Sequence, residues 1–218
     1  DFQKLVRKVV KSSTYKNILK KKNNAIKNGK IYGIGYSAII EPSISNMGYV
    51  TTALPYKDRE KTGHKGGALA STSVSIGPTG SVYVTCDSLP QGQGHKTILC
   101  QIVADVFGIK INDVFVNTTH DTHKDAWSIA AGNYSSRFAG AVAGSAFNAA
   151  NNLKKKLQKI AASQLNCKSE NVLFDKEKVY DKKNSDNYLN FKRLVGIPHW
   201  SPGNLPEKLN PSLKETIS

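Results

Sequence analysis

The sequence predicts an α+β fold, with mixed sheets and packed helices. Segments that repeat apolar residues at helical spacing are mixed with short β-branched runs bounded by glycine or proline. The two kinds of segment do not alternate strictly, as they would in a parallel α/β sheet. The chain has 218 residues, which is enough to bury a core in one large domain or two small ones.

Helices are predicted from helical periodicity and from residues that favour helix ends. The predicted helices are 1–29, which Asn28 and Gly29 end; 95–107, which Gly108 ends; 135–165; and a short helix that Ser185 and Asp186 cap and that ends near Val195. Small residues fill the first half of 135–165, namely Gly140, Ala143, Gly144 and Ala150. They allow this helix to pack tightly on a sheet or on another helix.

Strands are predicted where β-branched and aromatic residues cluster between turn residues. The predicted runs are 31–40, 70–76, 81–86, 113–117 and 171–180. The runs 70–76 and 81–86 flank a glycine and proline turn and predict a hairpin, and 171–180 is a strand or a hairpin. The tail 198–218 contains four prolines, which favour a surface excursion or a connector to another region.

The chain is strongly basic. Its 31 lysines and arginines against 16 acidic residues give a net charge of +15. Such a charge suits nucleic acid, an anionic partner or acidic lipid. The lysine runs 20–22 and 154–156 fall on predicted helices as polar faces, and no helix-turn-helix, RNP or zinc-finger pattern accompanies them. The missing motifs argue against a nucleic-acid-binding module, which stays an alternative function.

The apolar runs and the cysteines indicate where in the cell the chain is expected. The sequence has no run of about 18 apolar residues, so no membrane span is predicted. The charged, amphipathic N-terminus does not resemble a secretory signal. Cys86, Cys100 and Cys167 lie far apart and match no metal or cluster spacing, and the first two are predicted to be buried thiols. These features predict a cytoplasmic chain with no iron–sulfur cluster of its own.

The most informative motif is QGQGH at 91–95, between a predicted strand and a predicted helix. Gly92 and Gly94 let a ligand approach the backbone, and the helix start offers unpaired N–H groups with partial positive charge. The Gln93 amide has both donors and an acceptor, which suit a heterocycle or a phosphate. The motif therefore predicts an anion and pterin cradle. An ordinary glycine turn is the alternative.

Two further polar motifs lie next to the ends of predicted elements. GNYSSR at 132–137 places hydroxyls and a cation at the start of the long helix, where they suit a phosphate. An ordinary helix cap with a surface arginine is the alternative. TTHD at 118–121 follows a strand, a common place for ligands. Its spacing matches no zinc signature, so a polar loop is the favoured interpretation.

These motifs together resemble the molybdopterin-binding large subunits of the xanthine dehydrogenase and aldehyde oxidase family. The run GQGHKTILCQIVADVFGI is similar to the family pattern, and an Asp-Thr element, GNYSSR and a Gly/Ala-rich helix follow in the same order. Order and spacing agree over about 31–165. The flanking segments GIGYSAIIEPS and PEKLNPSLKETIS also resemble the family, and GQGH is most similar to its carbon monoxide dehydrogenase-like branch.

The resemblance implies a molybdenum–pterin cofactor, in many members a cytosine dinucleotide, in an oxidoreductase that hydroxylates an aldehyde, an N-heterocycle or a similar substrate with oxygen from water. Transferred residue by residue, it implies two groups of cofactor contacts and a third from the loop after the strand. They are Gln93, Gly94 and His95; Ser135, Ser136 and Arg137; and Thr119 and Asp121. No catalytic residue and no metal ligand is expected in this chain.

The sequence also departs from the family. The segment HKDAWSIAAGN is longer than in many members, and the upstream FGxK loops and the base glutamate of the GxGE motif are absent. The resemblance therefore implies that 1–218 is a partial domain of a longer large subunit, with core motifs at 31–165 and a connector at 198–218. It implies an inactive isolated chain whose partners are the rest of the subunit and iron–sulfur and flavin (FAD) domains or subunits, in a hetero-oligomer. A non-catalytic structural subunit is a further alternative.

Overall fold

A computed structural model describes residues 2–37, 39, 54–61, 70–119, 121 and 136–218. The chain divides into two compact units, Asp1–Glu41 and Pro42–Ser218. Within the described ranges, no helix has the length and apolarity that crossing a membrane requires. Helices together with mixed and antiparallel sheets confirm the predicted α+β class.

The first unit contains two helices where one was predicted. Helix α1 spans Phe2–Lys11 and helix α2 spans Ser13–Lys27. They are separate because the Ser12 side chain accepts a hydrogen bond from the Tyr15 N–H at 3.2 Å and so begins a new helix. Gly29 follows α2 with a left-handed φ of 68°, as the predicted helix end requires. The predicted strand 31–40 is wrong for residues 31–37, since no strand pairs with them among the described residues.

In the described part of the second unit, the elements follow one another as a mixture of helices and strands. In chain order they are α3 Tyr56–Lys61, β1 Thr72–Ile76, β2 Val82–Cys86, α4 His95–Phe107, β3 Val114–Asn117, α5 Ala143–Leu165, β4 Val172–Asp175, β5 Lys178–Asp181, β6 Asn184–Asn190, α6 Phe191–Trp200 and β7 Lys214–Ile217. A π-helical turn, Phe138–Val142, precedes α5 and is called the π turn below.

The larger sheet has four strands in the order β3-β2-β1-β7. The predicted hairpin is confirmed, since β1 and β2 are antiparallel with Thr72 opposite Cys86. Strand β3 is parallel to β2, and α4 connects the two. Of the two alternatives for the tail, the surface excursion is wrong for its last residues, whereas the connector stays a prediction. Strand β7 pairs with β1, and the preceding Leu213 is buried in the core.

The smaller sheet is antiparallel, in the order β4-β5-β6. Strands β4 and β5 confirm the predicted hairpin, and Lys176 and Glu177 form its tight turn with positive φ angles. The helix cap predicted at Ser185 and Asp186 is wrong, because both residues lie in β6. Helix α6 begins later, where the Asn190 side chain accepts a hydrogen bond from the next helical turn. Pairing of β6 with β5 overrides the local capping preference.

Helix α5 is the centre of the core. Leu153, Leu157 and Ile160 are fully buried against the sheets and against α4. The predicted helix 135–165 is confirmed over 143–165, and Ala143 and Ala150 are buried as its small residues predicted. Small side chains let this helix approach the sheet closely. The starts of α4 and α5 are thereby held near one another, and the candidate site lies there.

Candidate functional site

The loop before α4 has an open glycine backbone. Gly92 and Gly94 adopt φ angles of 98° and 80°, in the left-handed region that side chains avoid. A Cβ atom built on either glycine would meet nothing within 4 Å, so there is room beside this backbone. Gly94 caps α4 without a side-chain hydrogen bond. Gly94 thus leaves the first N–H groups of α4 without a capping side chain from the N-cap position, and the positive end of the helix dipole there favours an anion.

Gln93 lies between these glycines and is exposed. Its Oε1 atom accepts a hydrogen bond of 2.5 Å from the Gln91 N–H, which folds the side chain over its own loop. A hydrogen bond within the loop stabilises the turn and orients the rest of the amide. The predicted role of Gln93 in holding a ligand stays a prediction.

His95, the first residue of α4, is buried with 2% exposure. Its ring stacks on Phe138 at the start of the π turn, with the two centroids 3.7 Å apart and the planes nearly parallel at 1°. Burial lowers the pKa of His95, so the ring is neutral at physiological pH. Its Nδ1 atom is buried with no hydrogen-bond partner among the described residues. The stack joins the start of α4 to the turn that leads into α5.

Arg137 directly precedes the π turn and is 1% exposed. The alternative of a surface arginine is therefore wrong. Burying a guanidinium is costly unless anionic or hydrogen-bonding groups surround it, so this cation is built into the site. Ser136 is exposed and has a strained φ of 51°, and Ser135 lies outside the described residues. Arg137 is adjacent in sequence to Phe138, so the buried cation and the His95 stack share one corner of the fold.

The loop after β3 is described only at its start. Thr119 donates from both its N–H and its hydroxyl to Asn117 Oδ1, at 2.9 and 2.7 Å, and so closes a tight polar turn. Asp121 is half-buried. His120 and residues 122–135 lie outside the described residues, and with them the HKDAWSIAAGN segment. The role of Thr119 and Asp121 in cofactor binding stays a prediction.

Asp87 is a buried acidic residue that the sequence reasoning missed. It lies just after β2 and is completely buried. Its Oδ2 atom accepts a 2.8 Å hydrogen bond from the Ser71 N–H, while its own N–H donates to the Ser71 carbonyl. Its Oδ1 atom has no partner among the described residues. A sequence signal for Asp87 did exist. Polar residues directly after a predicted strand had pointed to the TTHD loop, and Asp87 and Ser88 follow a predicted strand in the same way.

The cysteines contribute no metal centre in the part of the chain that the structure describes. Cys86 is buried as predicted, and Cys100 is half-buried. Burial raises the pKa of both thiols, which keeps them protonated and poor ligands. No group of three or more His, Cys, Asp or Glu side chains is arranged to hold a metal ion in the described ranges.

The described site fits an anionic ligand that carries a heterocycle. It combines an accessible glycine backbone, a helix start whose cap residue supplies no side-chain hydrogen bond, and a buried cation. The buried Asp87 Oδ1 and His95 Nδ1 atoms are polar groups of the kind that a native structure usually satisfies, with a partner outside the described residues or with a ligand. Phosphate oxygens match the N–H groups and the guanidinium, and heterocyclic edges match amides and carboxylates.

Comparison with known proteins agrees with this chemistry. The family model described as "Molybdopterin cofactor-binding domain" matches residues 8–216. The large subunit of nicotine 6-hydroxylase from Paenarthrobacter nicotinovorans is 27% identical over 93% of this chain and 23% of its own length. The large chain of carbon monoxide dehydrogenase from Afipia carboxidovorans is 29% identical over 89% of this chain and 22% of its own length.

A solved structure gives the same result. The carbon monoxide dehydrogenase from Oligotropha carboxidovorans superimposes with a TM-score of 0.65 at 26% identity, over 98% of this chain and 25% of the solved one. The chain thus spans about a quarter of the length of the relatives that it matches.

Proposed function

Because this chain belongs to the family of molybdopterin cofactor-binding domains, we propose that it is the part of a molybdenum hydroxylase large subunit that holds the molybdenum–pterin cofactor. When bound, this cofactor supplies the hydroxylation of an aldehyde, an N-heterocycle or a similar substrate with oxygen from water. The residues of this chain bind and orient the cofactor.

The observation that carries this proposal is the stack of His95 on Phe138. The two motifs lie more than thirty residues apart in sequence, yet their rings are in direct contact at 3.7 Å. Gly94 and Arg137 are the immediate sequence neighbours of the stacked residues, so the stack brings the backbone at the start of α4 and the backbone of a buried arginine to one corner of the fold. One phosphate-bearing cofactor can use both, because charge-assisted hydrogen bonds from N–H groups and from an arginine are strongest to phosphate.

Each residue has a specific part in this proposal. The backbone at Gly94 and the N–H groups at the start of α4, including that of His95, bind a phosphate of the cofactor, and Arg137 neutralises it from the other helix. The Gln93 amide donates to the heterocycle. The hydroxyls of Ser135 and Ser136 add contacts to the same phosphate, and Thr119 and Asp121 contribute from the loop after β3. A cytosine dinucleotide form of the cofactor suits this set, since it has two phosphates and a second ring.

The partners follow from the names of the relatives. They are a "large subunit" and a "large chain", which supports further subunits in the complete enzyme. The remainder of the large subunit covers the cofactor, and iron–sulfur and FAD domains or chains accept its electrons in a hetero-oligomer. Free, protonated thiols at Cys86 and Cys100 suit a reducing compartment, which supports the cytoplasm.

The test is the cofactor content of the intact enzyme that contains this chain. Arg137→Lys loses the planar fork that matches phosphate, and Gln93→Ala loses an amide contact. Loss of one charge-assisted hydrogen bond is worth about 1.5–3 kcal/mol, or roughly a tenfold to hundredfold weaker hold on the cofactor. Arg193→Lys is the matched control, because Arg193 is an exposed arginine on α6.

Molybdenum is measured by elemental analysis and pterin by fluorescence after release. Reduced molybdenum and pterin in Arg137→Lys and Gln93→Ala, with wild-type amounts in Arg193→Lys, support the proposal. Wild-type amounts in all three variants refute the assigned contacts. A wild-type enzyme with neither molybdenum nor pterin refutes the function and favours a structural subunit. Salt-dependent binding to random duplex DNA by that same protein favours the nucleic-acid alternative.

A further inference from the structure

The π turn has a distinct hydrogen-bond pattern at its end. The Ala143 N–H donates to the Phe138 carbonyl, five residues earlier, which is the bond of a π-helix. The Val142 carbonyl accepts a 2.9 Å hydrogen bond from the Ser145 hydroxyl. Single π-helical turns are rare and recur at functional sites. This one begins with Phe138, which contacts His95, and directly follows the buried Arg137.

A threonine of β1 completes the pattern. The Thr72 and Ser145 hydroxyl oxygens are 2.7 Å apart, and Thr72 Oγ1 also lies 3.4 Å from the Val142 carbonyl. All three residues are buried. Because the Ser145 hydroxyl donates its proton to the Val142 carbonyl, the Thr72 hydroxyl donates its own proton to the Ser145 oxygen. The chain of hydrogen bonds thus runs from the central sheet to the end of the π turn.

The neighbouring Ser71 holds the other half of the site. Its N–H and carbonyl bond to Asp87, which precedes the GQG loop by a few residues. Ser71 and Thr72 therefore tie both cofactor motifs to one end of β1, one through the backbone and the other through a hydroxyl. Strand β1 is paired on both sides within its sheet and is a rigid support. Sites held by such a support keep their geometry to a fraction of an ångström.

We propose that the Thr72–Ser145 hydroxyl pair is a positioning device for the cofactor site, which sets the π turn so that Arg137 and Phe138 face the start of α4. This inference rests on the proposed function. Neither hydroxyl needs to touch the cofactor, since each acts through the turn. Without the pair, the Val142 carbonyl loses the Ser145 hydroxyl as a donor and the turn relaxes, which shifts Arg137 and Phe138 relative to the start of α4.

A matched pair of serines provides the test. Ser145 and Ser73 are both buried, with 6% and 7% exposure, and each forms a hydroxyl pair with a threonine. The Ser73 hydroxyl lies 2.5 Å from that of Thr216, its register partner in the pairing of β1 with β7. Ser145→Ala and Ser73→Ala therefore remove the same group from similar surroundings. Ser145→Ala removes a hydroxyl that donates to Val142, in the π turn.

The experiment measures the rate at which molybdenum leaves the intact enzyme during dialysis, together with the thermal unfolding midpoint. We expect Ser145→Ala and Thr72→Val to release molybdenum about fivefold faster or more, the size expected from one lost hydrogen bond. Ser73→Ala keeps the wild-type rate while its midpoint falls as much as that of Ser145→Ala. Thr72→Ser retains the hydroxyl, so we expect it to hold molybdenum as the wild type does. This variant tests the proposal even if Thr72→Val does not fold. Combining Thr72→Val with Arg137→Lys adds little beyond Arg137→Lys alone, because both act on the same contact.

The outcomes separate the two ideas. Equal molybdenum release from Ser145→Ala and Ser73→Ala overturns the positioning role, as does Thr72→Ser that behaves no better than Thr72→Val. In that case the proposed function stands if the wild-type enzyme holds molybdenum and Arg137→Lys loses it. A wild-type enzyme without molybdenum overturns the proposed function and, with it, this inference.

Discussion

Replacing Gly108 with alanine tests how the far end of α4 is anchored. Gly108 ends α4 with a φ of 62°, and a Cβ atom there would lie 2.9 Å from backbone atoms of Phe174 and Asp175. The Gly108 carbonyl also accepts a 2.7 Å hydrogen bond from the Glu177 N–H. Helix α4, which begins at the candidate site, thus packs at its other end against the β4–β5 turn. Gly108→Ala disturbs that packing and does not alter a residue of the site.

The magnitude has two parts. A left-handed φ costs an alanine about 1–2 kcal/mol. Forcing a methyl group against backbone atoms adds about 1–3 kcal/mol. The stiffer unfolded chain offsets roughly 0.4–1 kcal/mol of this, so the net loss is about 1–4.5 kcal/mol. Gly94→Ala, at the other end of the same helix, has a φ of 80° and open space around its Cβ position. Gly94→Ala carries only the cost of the left-handed φ, so its net loss is about 0–1.5 kcal/mol.

The assay is urea unfolding of the cofactor-free full chain, followed by circular dichroism. The difference between the two variants isolates the contact at Asp175, which is expected to be worth about 1–3 kcal/mol. Equal stabilities for Gly108→Ala and Gly94→Ala would show that the close approach of α4 to the hairpin does not exist in solution. A wild-type stability for Gly108→Ala would refute the left-handed helix end as well.

Two further results are expected from the same assay. Because burial lowers the folded-state pKa of His95, the unfolded chain protonates first as the pH falls below about 6.5, and stability is lost from there down to the lowered pKa. His95→Phe keeps a ring on Phe138 and should lose less stability over that window than wild type; equal slopes would show that folding does not lower the pKa of His95. Asn190→Ala removes the side-chain acceptor of the Lys192 N–H and should cost about 0.5–2 kcal/mol, whereas Asn190→Asp should retain the cap. Equal losses for both substitutions would show that this cap does not stabilise α6.

Elements whose signals are local could be predicted from the sequence. The β1–β2 hairpin, helix 95–107 with its glycine end and the β4–β5 hairpin depend on turn residues and on contacts within a few positions. The break at Ser12 is local too, since a serine cap begins α2, but continuous helical periodicity concealed it. The strand predicted at 31–40 had the right composition for a strand. It lacks a partner among the described residues, and β-propensity without pairing is insufficient.

By itself, the sequence determined the α+β class, the order of the two glycine- and serine-containing motifs and, through that order, the resemblance to a cofactor-binding family. Only the tertiary structure decided that His95 stacks on Phe138, that Arg137 is buried and that the buried Asp87 bonds to Ser71. It also placed Lys214–Ile217 on β1, more than a hundred residues away in sequence. The physical reason is that local patterns record the preferences of a few neighbouring residues. Burial and strand pairing depend on which distant segments exclude water together, and no local pattern contains that information.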